Sequence, residues 1–374
     1  MSIEIRKVES ARDLRKFINF PLRLYKNQPN YVPAPRLDEL RTLTKDKNPA
    51  FEFCEAEYWT AWRDGAMVGR IAGIINHRAI DRWGKSWARF GWIDFIDDIE
   101  VTKALLETVE RWAVAKGMAA VHGPLGFTDL DREGMLIDGF EEMATLATIY
   151  NYSYYPEHLE KLGYKKDTDW LQFQISTPKE IPEKVQRVTE LLAKRSGVHL
   201  YEWTDKKVIV QKFGKQLFDL IDETYRELYG TSPLSERQIN TYIKQYLGFV
   251  DPRFTKILVD SEEKLIGFGI SMPSLSVAFN KSRGRIFPLG WLYLLQALRH
   301  PKIIDLYLVA VKPEYQARGV LAIVMNALQR SALEAGVEFA ETNLELEDNI
   351  KVQSIWKDYP KRQHKRNRVY KKDV

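Results

Sequence analysis

One cysteine, Cys54, stands in 374 residues, which excludes an internal disulfide framework, a cysteine zinc cluster and a two-cysteine redox motif. The six histidines are scattered without metal-ligand spacing, so no structural metal is expected. Long apolar runs are missing too: the longest, Phe287 to Leu298, is broken by Gln296 and is too short to span a bilayer. The N-terminus, Met1-Ser-Ile-Glu-Ile-Arg6, alternates charge with apolar residues and lacks a signal-peptide core. A cytoplasmic protein with no membrane partner is the expectation.

With 45% hydrophobic and 29% charged residues the chain can bury a real core, yet it is long for one domain, so two are expected. The formal charge of +5 is unevenly placed. Between Lys351 and Val374 nine Lys/Arg face Asp358 and Asp373, so this segment carries +7 and the remainder −2. Residues 351–374 read either as a solvated basic tail or as a surface for a phosphorylated partner.

The same succession of elements occurs twice. Tyr58 to Arg63, the turn Asp64-Gly65, and Met67 to Ile75 read as a hairpin, followed by a strand at Ala88 to Ile96. Val101 to Lys116 then puts Val101, Leu105, Val109, Trp112 and Ala113 on one helical face and stops at Gly117, before a strand at Ala119 to His122. In the second half Thr255 to Val259 and Leu265 to Met272 form the hairpin, and Ile303 to Val311 the next strand. A helix from about Gly319 ends at Gly336, before a strand from Glu338 to Leu346. Gly69 and Gly267 lie 198 residues apart, Gly117 and Gly336 219, so the second copy has gained about 21 residues, matching Pro273 to Pro301. The boundary is placed in Ser176-Thr-Pro-Lys-Glu-Ile-Pro182, giving domains 1–178 and 179–374 of mixed α/β class.

The strand Tyr307-Leu-Val-Ala-Val311, the loop Lys312-Pro-Glu-Tyr-Gln316-Ala-Arg318-Gly319-Val-Leu321 and the helix after it resemble the acyl-CoA-binding motif of the GNAT (GCN5-related N-acetyltransferase) superfamily. Tyr155-Pro-Glu-His-Leu-Glu-Lys-Leu-Gly163-Tyr164 is similar to the helix and turn that close a GNAT domain. With the repeat, the resemblance implies two tandem GNAT-like domains, each a mixed twisted sheet flanked by helices. It implies acetyl-CoA or another acyl-CoA as co-substrate, and a small amine or peptide amine as acceptor.

The physics of such a motif is simple. Free N–H groups and the dipole at a helix N-terminus favour a pyrophosphate, and an unpaired strand edge can take the pantetheine arm as a pseudo-strand. Val309, Ala310 and Val311 would supply that edge; Gln316, Ala317, Arg318, Gly319, Val320 and Leu321 would supply the loop and helix start. In the family pattern Gln316 and Gly319 fit, whereas Leu321 stands where Gly or Ala is usual. The first copy's loop, Asp97-Asp98-Ile-Glu100, has no glycine and three carboxylates that would repel phosphate, so that half is read as a scaffold.

Direct transfer needs a base and an acid but no nucleophile. By the period-two rule Glu341, Asn343, Glu345 and Glu347 share one strand face, and Glu345 is the preferred base with Glu341 second. The family's tyrosine acid is missing: the matching positions are Trp356, counted from Asn349, and Leu159 in the first copy. Tyr359 or Tyr370 are its substitutes. Within the segment Arg285 to Leu298 a helix from Leu289 would be apolar nearly all round, read as core filler or else as an acceptor-pocket wall with Trp291, Tyr293 and Asn349 binding substrate. Three functions stay open: acyl-CoA-dependent N-acyl transfer in the second half, aminoacyl-tRNA-dependent transfer with the basic tail on RNA, and a catalytically silent binding scaffold.

Overall fold

A computed structural model describes residues 2–246 and 250–374. Among these, fourteen strands form one continuous sheet. The first half supplies β1 (Glu4–Lys7), β2 (Cys54–Arg63), β3 (Ala66–Asn76), β4 (Trp87–Phe95), β5 (Ala120–Gly123), β6 (Met135–Asp138) and β7 (Lys165–Ser176). The second supplies β8 (Val198–Leu200), β9 (Thr255–Asp260), β10 (Leu265–Pro273), β11 (Ile303–Val311), β12 (Phe339–Thr342), β13 (Glu345–Leu346) and β14 (Lys361–Asp373). The main path runs β1-β2-β3-β4-β5-β14-β7-β12-β11-β10-β9-β8.

Each half folds for the reasons its sequence carries. The helix Ile99–Ala115 buries Val101, Leu105, Leu106, Val109 and Ala113, the Val and Leu side chains each worth roughly 1.5–3 kcal/mol when fully removed from water. Its close approach to the sheet requires Gly69, where a Cβ would stand 2.7 Å from Leu105 Cδ1. The helix Leu321–Glu334 crosses the second half in the same way, and a Cβ on Gly269 would come 2.7 Å from Val324 Cγ1.

The order of strands departs from a simple pair of domains side by side. The last strand of the chain, β14, lies between β5 and β7 of the first half, and β7 in turn borders β12 of the second. β7 and β14 are antiparallel from Lys361↔Ile175 to Lys371↔Lys165. The two halves thus exchange their closing strands, and the ladder between those strands is the seam of the molecule.

This corrects the reading of residues 361–373 as a solvated tail. Lys365, Asn367, Val369 and Tyr370 are buried, and most of the charges of β14 are paired with acids of the same chain. Arg362 pairs with Glu142 at 2.6 Å, Arg366 and Arg368 with Asp169 at 3.0 and 2.8 Å, Lys365 with Glu341 at 3.4 Å, and Lys372 with Glu110 at 3.0 Å. A run rich in Lys and Arg becomes an interior strand because acids distant in sequence wait beside it.

The inserted helix is the second correction. Gly290–Arg299 is not core filler: among its residues only Gly290 is buried, and Trp291, Leu292 and Tyr293 face outward.

Candidate active site

β11 and β12 run parallel from Ile303↔Phe339 to Leu306↔Thr342, and Asn343 N–H closes the pairing on Leu306 O at 3.0 Å. Beyond that point they part. β11 continues to Val311, while the chain after Thr342 turns to pair with β7 as Glu345↔Leu171 and Leu346↔Trp170. The fork opens into a cavity of about 2240 Å³ shared by the two halves. The second half lines it with Leu306 to Val311 and with the inner face of the helix Lys206–Tyr225 (Leu217, Phe218, Ile221, Tyr225). The first half lines it with residues of the loop between β5 and β6, among them Asp129, Asp131, Arg132 and Glu133, and with Tyr31, Arg36 and Trp92.

Glu345 is the focal carboxylate. It is 7% exposed, on the cavity wall. Its Oε1 accepts from Trp356 Nε1–H at 2.7 Å, while Oε2 is buried without a partner. Burial pushes the carboxyl up to about 7, against the smaller opposing pulls of the Trp356 hydrogen bond, the Lys361 charge and the nearby Thr342 hydroxyl. A group of this kind is poised to exchange a proton near neutral pH.

The strand edge opposite is not bare. The Tyr225 hydroxyl donates to Val309 O at 3.0 Å and accepts from Val309 N–H at 3.3 Å. Gln316 Nε2 donates to Val311 O at 3.0 Å. Burial, opposed by the bond from Val309, pushes the Tyr225 phenol up to about 12, so it stays neutral at physiological pH. The helix Leu321–Glu334 starts with no side-chain cap and no acid in its first turn, and Gly319 before it has φ +71°, a conformation glycine adopts without strain.

The first half supplies the acidic wall. Burial raises the carboxyls of Asp129, Glu133 and Asp131, the last to about 6, although Asp131 Oδ2 accepts from Thr128 N–H at 3.1 Å. An ammonium placed among them would restore their charged forms. Sequence reasoning did not find this wall or Tyr225. Asp129-Leu-Asp131-Arg-Glu133 is visible as three acids in a short loop, but which cavity it faces depends on the packing of one half against the other.

The positions singled out by sequence are divided by the structure. Val309, Ala310, Val311, Gln316, Ala317, Leu321, Glu345 and Asn349 line the cavity, and Asn349 Oδ1 also accepts from Val352 N–H at 3.3 Å. Arg318, Gly319 and Val320 lie behind that wall; Arg318 and Gly319 are exposed and Val320 is buried. The shared face of Glu341, Asn343, Glu345 and Glu347 does not exist, because the strand breaks between Thr342 and Glu345. Glu341 turns instead to Lys365, and Glu347 to Lys166 at 2.6 Å. Tyr359 sits one layer back, edge-on to Trp356 at 6.0 Å between ring centres. Tyr370 is buried in the first half with its hydroxyl on Glu160 at 2.9 Å, away from the fork. Trp291 and Tyr293 are exposed and off the cavity wall.

No protein-family model matches the chain. It is 26% identical over 384 residues to the protein YghO of Escherichia coli K12, covering 99% of this chain and 95% of that one. It is also 26% identical over 376 residues to the bacterial ceramide synthase of Caulobacter vibrioides, covering 98% and 96%. Among solved structures it resembles a tandem GNAT protein from the clavulanic acid biosynthesis pathway, with TM-score 0.56 at 12% identity over 100% of this chain and 98% of that one. A GCN5-related N-acetyltransferase from Sphaerobacter thermophilus follows the same course, with TM-score 0.51 at 13% identity over 99% and 95%. With two forked mixed α/β halves in one sheet, this chain has the tandem GNAT fold.

Proposed function

We propose that this protein is an acyl-CoA-dependent N-acyltransferase whose reaction takes place at the second half's fork, with the first half walling the acceptor side. The observation that carries this reading is the Glu345 carboxyl, a residue of the cavity lining that burial raises to about 7 and whose Oε2 has no hydrogen-bond partner, beside the edge of β11. In the reaction the acceptor ammonium first loses a proton to Glu345, directly or through a water. The free amine then attacks the thioester carbonyl, the C–N bond forms, the C–S bond breaks, and the thiolate leaves to be protonated. The acids Asp129, Asp131 and Glu133 hold the ammonium before it is deprotonated. Gln316 holds the loop's backbone by bonding Val311 O.

The size of the cavity bears on the substrates. Ligand pockets usually enclose about 300–1,000 Å³, and this one is more than twice the upper figure at about 2240 Å³. The same cavity must take up the CoA arm, since Val309 to Val311, Gln316 and Leu321 line it, and its remaining room and apolar lining (Leu217, Phe218, Ile221) suit a long acyl chain, a long-chain amine, or both. One relative is named a ceramide synthase, and ceramide is the amide of a fatty acid with a long-chain amino alcohol. The test is release of free thiol from acyl-CoA of increasing chain length with a long-chain amino alcohol or a short amine as acceptor. Turnover should need the long-chain acceptor or a long acyl chain; acetyl-CoA with a short amine working best would overturn the lipid assignment.

A second reading, the silent scaffold, is favoured by one observation: the β11 edge already carries internal hydrogen bonds from Tyr225 and Gln316. It predicts CoA binding without thiol release from any acceptor. The tRNA-dependent reading loses support, since Arg362, Lys365, Arg366, Arg368 and Lys372 of β14 are paired with acids of the same chain.

A further inference from the structure

The cavity has an unusual mouth. Between Lys264 and Asp305 the chain carries no acidic residue but five Lys/Arg, namely Lys281, Arg283, Arg285, Arg299 and Lys302. Lys302 pairs with Glu338. The other four have no carboxylate partner among the described residues: Lys281 lies over the Tyr293 ring at 5.8 Å, and Arg283 donates to Lys26 O at 3.3 Å. Between these cations stand Ile286, Phe287, Leu289, Trp291, Leu292 and Tyr293, all exposed, Phe287 by 77% and Trp291 by 46%. Leu37 joins them from the first half, where Arg36 N–H bonds Gly284 O at 3.1 Å. So large a cluster of exposed apolar side chains is rarely left facing water without a partner.

The patch is continuous with the cavity. Arg285, Ile286, Phe287, Leu294, Leu298 and Arg299 belong to its lining as well as to its rim. Trp and Tyr beside unpaired Arg and Lys is the composition that settles at the boundary between headgroups and acyl chains. No helix among the described residues is long and apolar enough to cross a membrane, so the contact would be peripheral.

We propose that Ser276–Arg299 is a membrane-docking surface that seats the cavity mouth on an anionic lipid bilayer, so that an apolar reactant passes between bilayer and cavity without crossing water. This revises the expectation of no membrane partner. It goes beyond N-acyl transfer and does not rest on it, because docking is measured without turnover. A second copy of the chain is a poorer occupant. Two-fold self-association through this face would lay one copy's cations on a patch that offers no acid, because Ser276–Arg299 contains neither Asp nor Glu. A bilayer containing anionic headgroups satisfies the cations and takes up the apolar side chains at once.

The test is co-sedimentation of the full chain with vesicles. Binding is expected to vesicles of equimolar phosphatidylglycerol and phosphatidylcholine at low salt, and to fall severalfold with phosphatidylcholine alone or at high salt. The triple variant Phe287→Ser, Trp291→Ser, Leu292→Ser, with unchanged circular dichroism and melting temperature, should bind about tenfold or more weakly. The pair Arg283→Glu and Arg285→Glu, which leaves the apolar side chains in place, should also lose about tenfold or more on anionic vesicles while converging with the unaltered protein on neutral ones. If the unaltered protein does not sediment with anionic vesicles, or the triple variant sediments equally well, the proposal is wrong. A dimer in light scattering that the triple variant dissolves, with no vesicle binding, would assign the face to self-association and likewise overturn it.

Discussion

The two halves share a fork of strands and treat it in opposite ways. In the first, the edge of β4 is filled by built-in side chains: Tyr154 donates to Phe95 O at 2.7 Å, and Tyr155 accepts from Phe95 N–H at 3.0 Å while its ring stacks on Phe95 at 4.0 Å. The helix that follows is capped by Asp98, which is paired with Arg63 at 2.6 Å, and Asp97 is paired with His158 at 3.2 Å. In the second, the helix start carries no cap, and the edge of β11 looks onto the cavity with one phenol and one amide against it. The same topology therefore yields a self-sealed half and an open one. Phenols bond the backbone at both forks; what differs is the helix start, capped by Asp98 in the first half and without a side-chain cap in the second.

The largest test of that contrast is Glu345→Gln. The amide keeps the size and can still accept from Trp356, but it cannot take a proton, so thiol release should fall about 10²- to 10⁴-fold with CoA affinity nearly constant. The pH profile sharpens the point. A base raised to about 7 works only when ionised, so kcat/KM should climb as pH rises through about 7, and the variant should lose that limb. An unchanged rate and profile would move the proton to another group.

Gly319→Glu comes next. It adds both a carboxylate near the uncapped helix start and a side chain at φ +71°, and should weaken CoA at least about tenfold. Gly319→Ala separates the backbone strain from the charge. Asp97 and Asp98 substitutions in the sealed half should leave CoA binding unaltered by calorimetry; an equal loss from either loop would erase the asymmetry.

Buried groups on the two matched strands should also respond in opposite directions. In the first half Tyr155 bonds Tyr25, whose hydroxyl reaches Asp94, and Arg70 holds the other Asp94 oxygen. Tyr155→Phe leaves Phe95 N–H without that partner and should cost about 1–3 kcal/mol in denaturant melts. Asp305 on β11 is buried with neither oxygen hydrogen-bonded, and burial first, then the charge of Glu341, pushes it up to about 7. The folded state holds a proton there that the unfolded chain releases, so stability falls as pH rises from about 4 to about 7 and then levels. Asp305→Asn should remove that slope and gain about 1–3 kcal/mol at pH 8. An unchanged slope would place the pH sensitivity elsewhere.

Much of this was legible where local pattern decides structure. Ile303 to Val311 is a strand with those bounds, and the helices end at Gly117 and Gly336, both at positive φ. The character of the Asp97 to Glu100 loop also followed from its charges. What the sequence could not show was long-range. Lys361 to Asp373 carries the composition of a surface tail and becomes β14 only because Asp169, Glu142, Glu341 and Glu110 are brought beside it. The helix Gly290–Arg299 carries the composition of a core, yet Trp291, Leu292 and Tyr293 are exposed, because among the described residues no element packs over that face. Glu345 was legible as a candidate, but its unpartnered oxygen depends on the break after Thr342, which period-two counting passes over.

The smallest expected effect bears most directly on whether the open half is truly open. The Tyr225 hydroxyl satisfies both the N–H and the C=O of Val309, the same pair of groups an amide of an extended ligand arm would use. If the phenol is a placeholder, a bound arm must displace it, and part of the binding free energy goes into breaking those two bonds. Tyr225→Phe removes the hydroxyl while keeping the ring, so the free edge is less well satisfied and the ligand has nothing to displace. CoA should then bind a few-fold tighter, in keeping with a net hydrogen-bond contribution of about 0.5–1.5 kcal/mol, and the rate with saturating acyl-CoA should stay within a few-fold of the unaltered protein. The opposite split, unchanged affinity with a large loss of rate, would make Tyr225 the acid that protonates the leaving thiolate, a role for which its neutral phenol is chemically fit. The comparison with Tyr155 closes the argument: the same substitution in the sealed half should lower stability without touching CoA affinity, since there the hydroxyl is part of the fold and has no ligand to yield to.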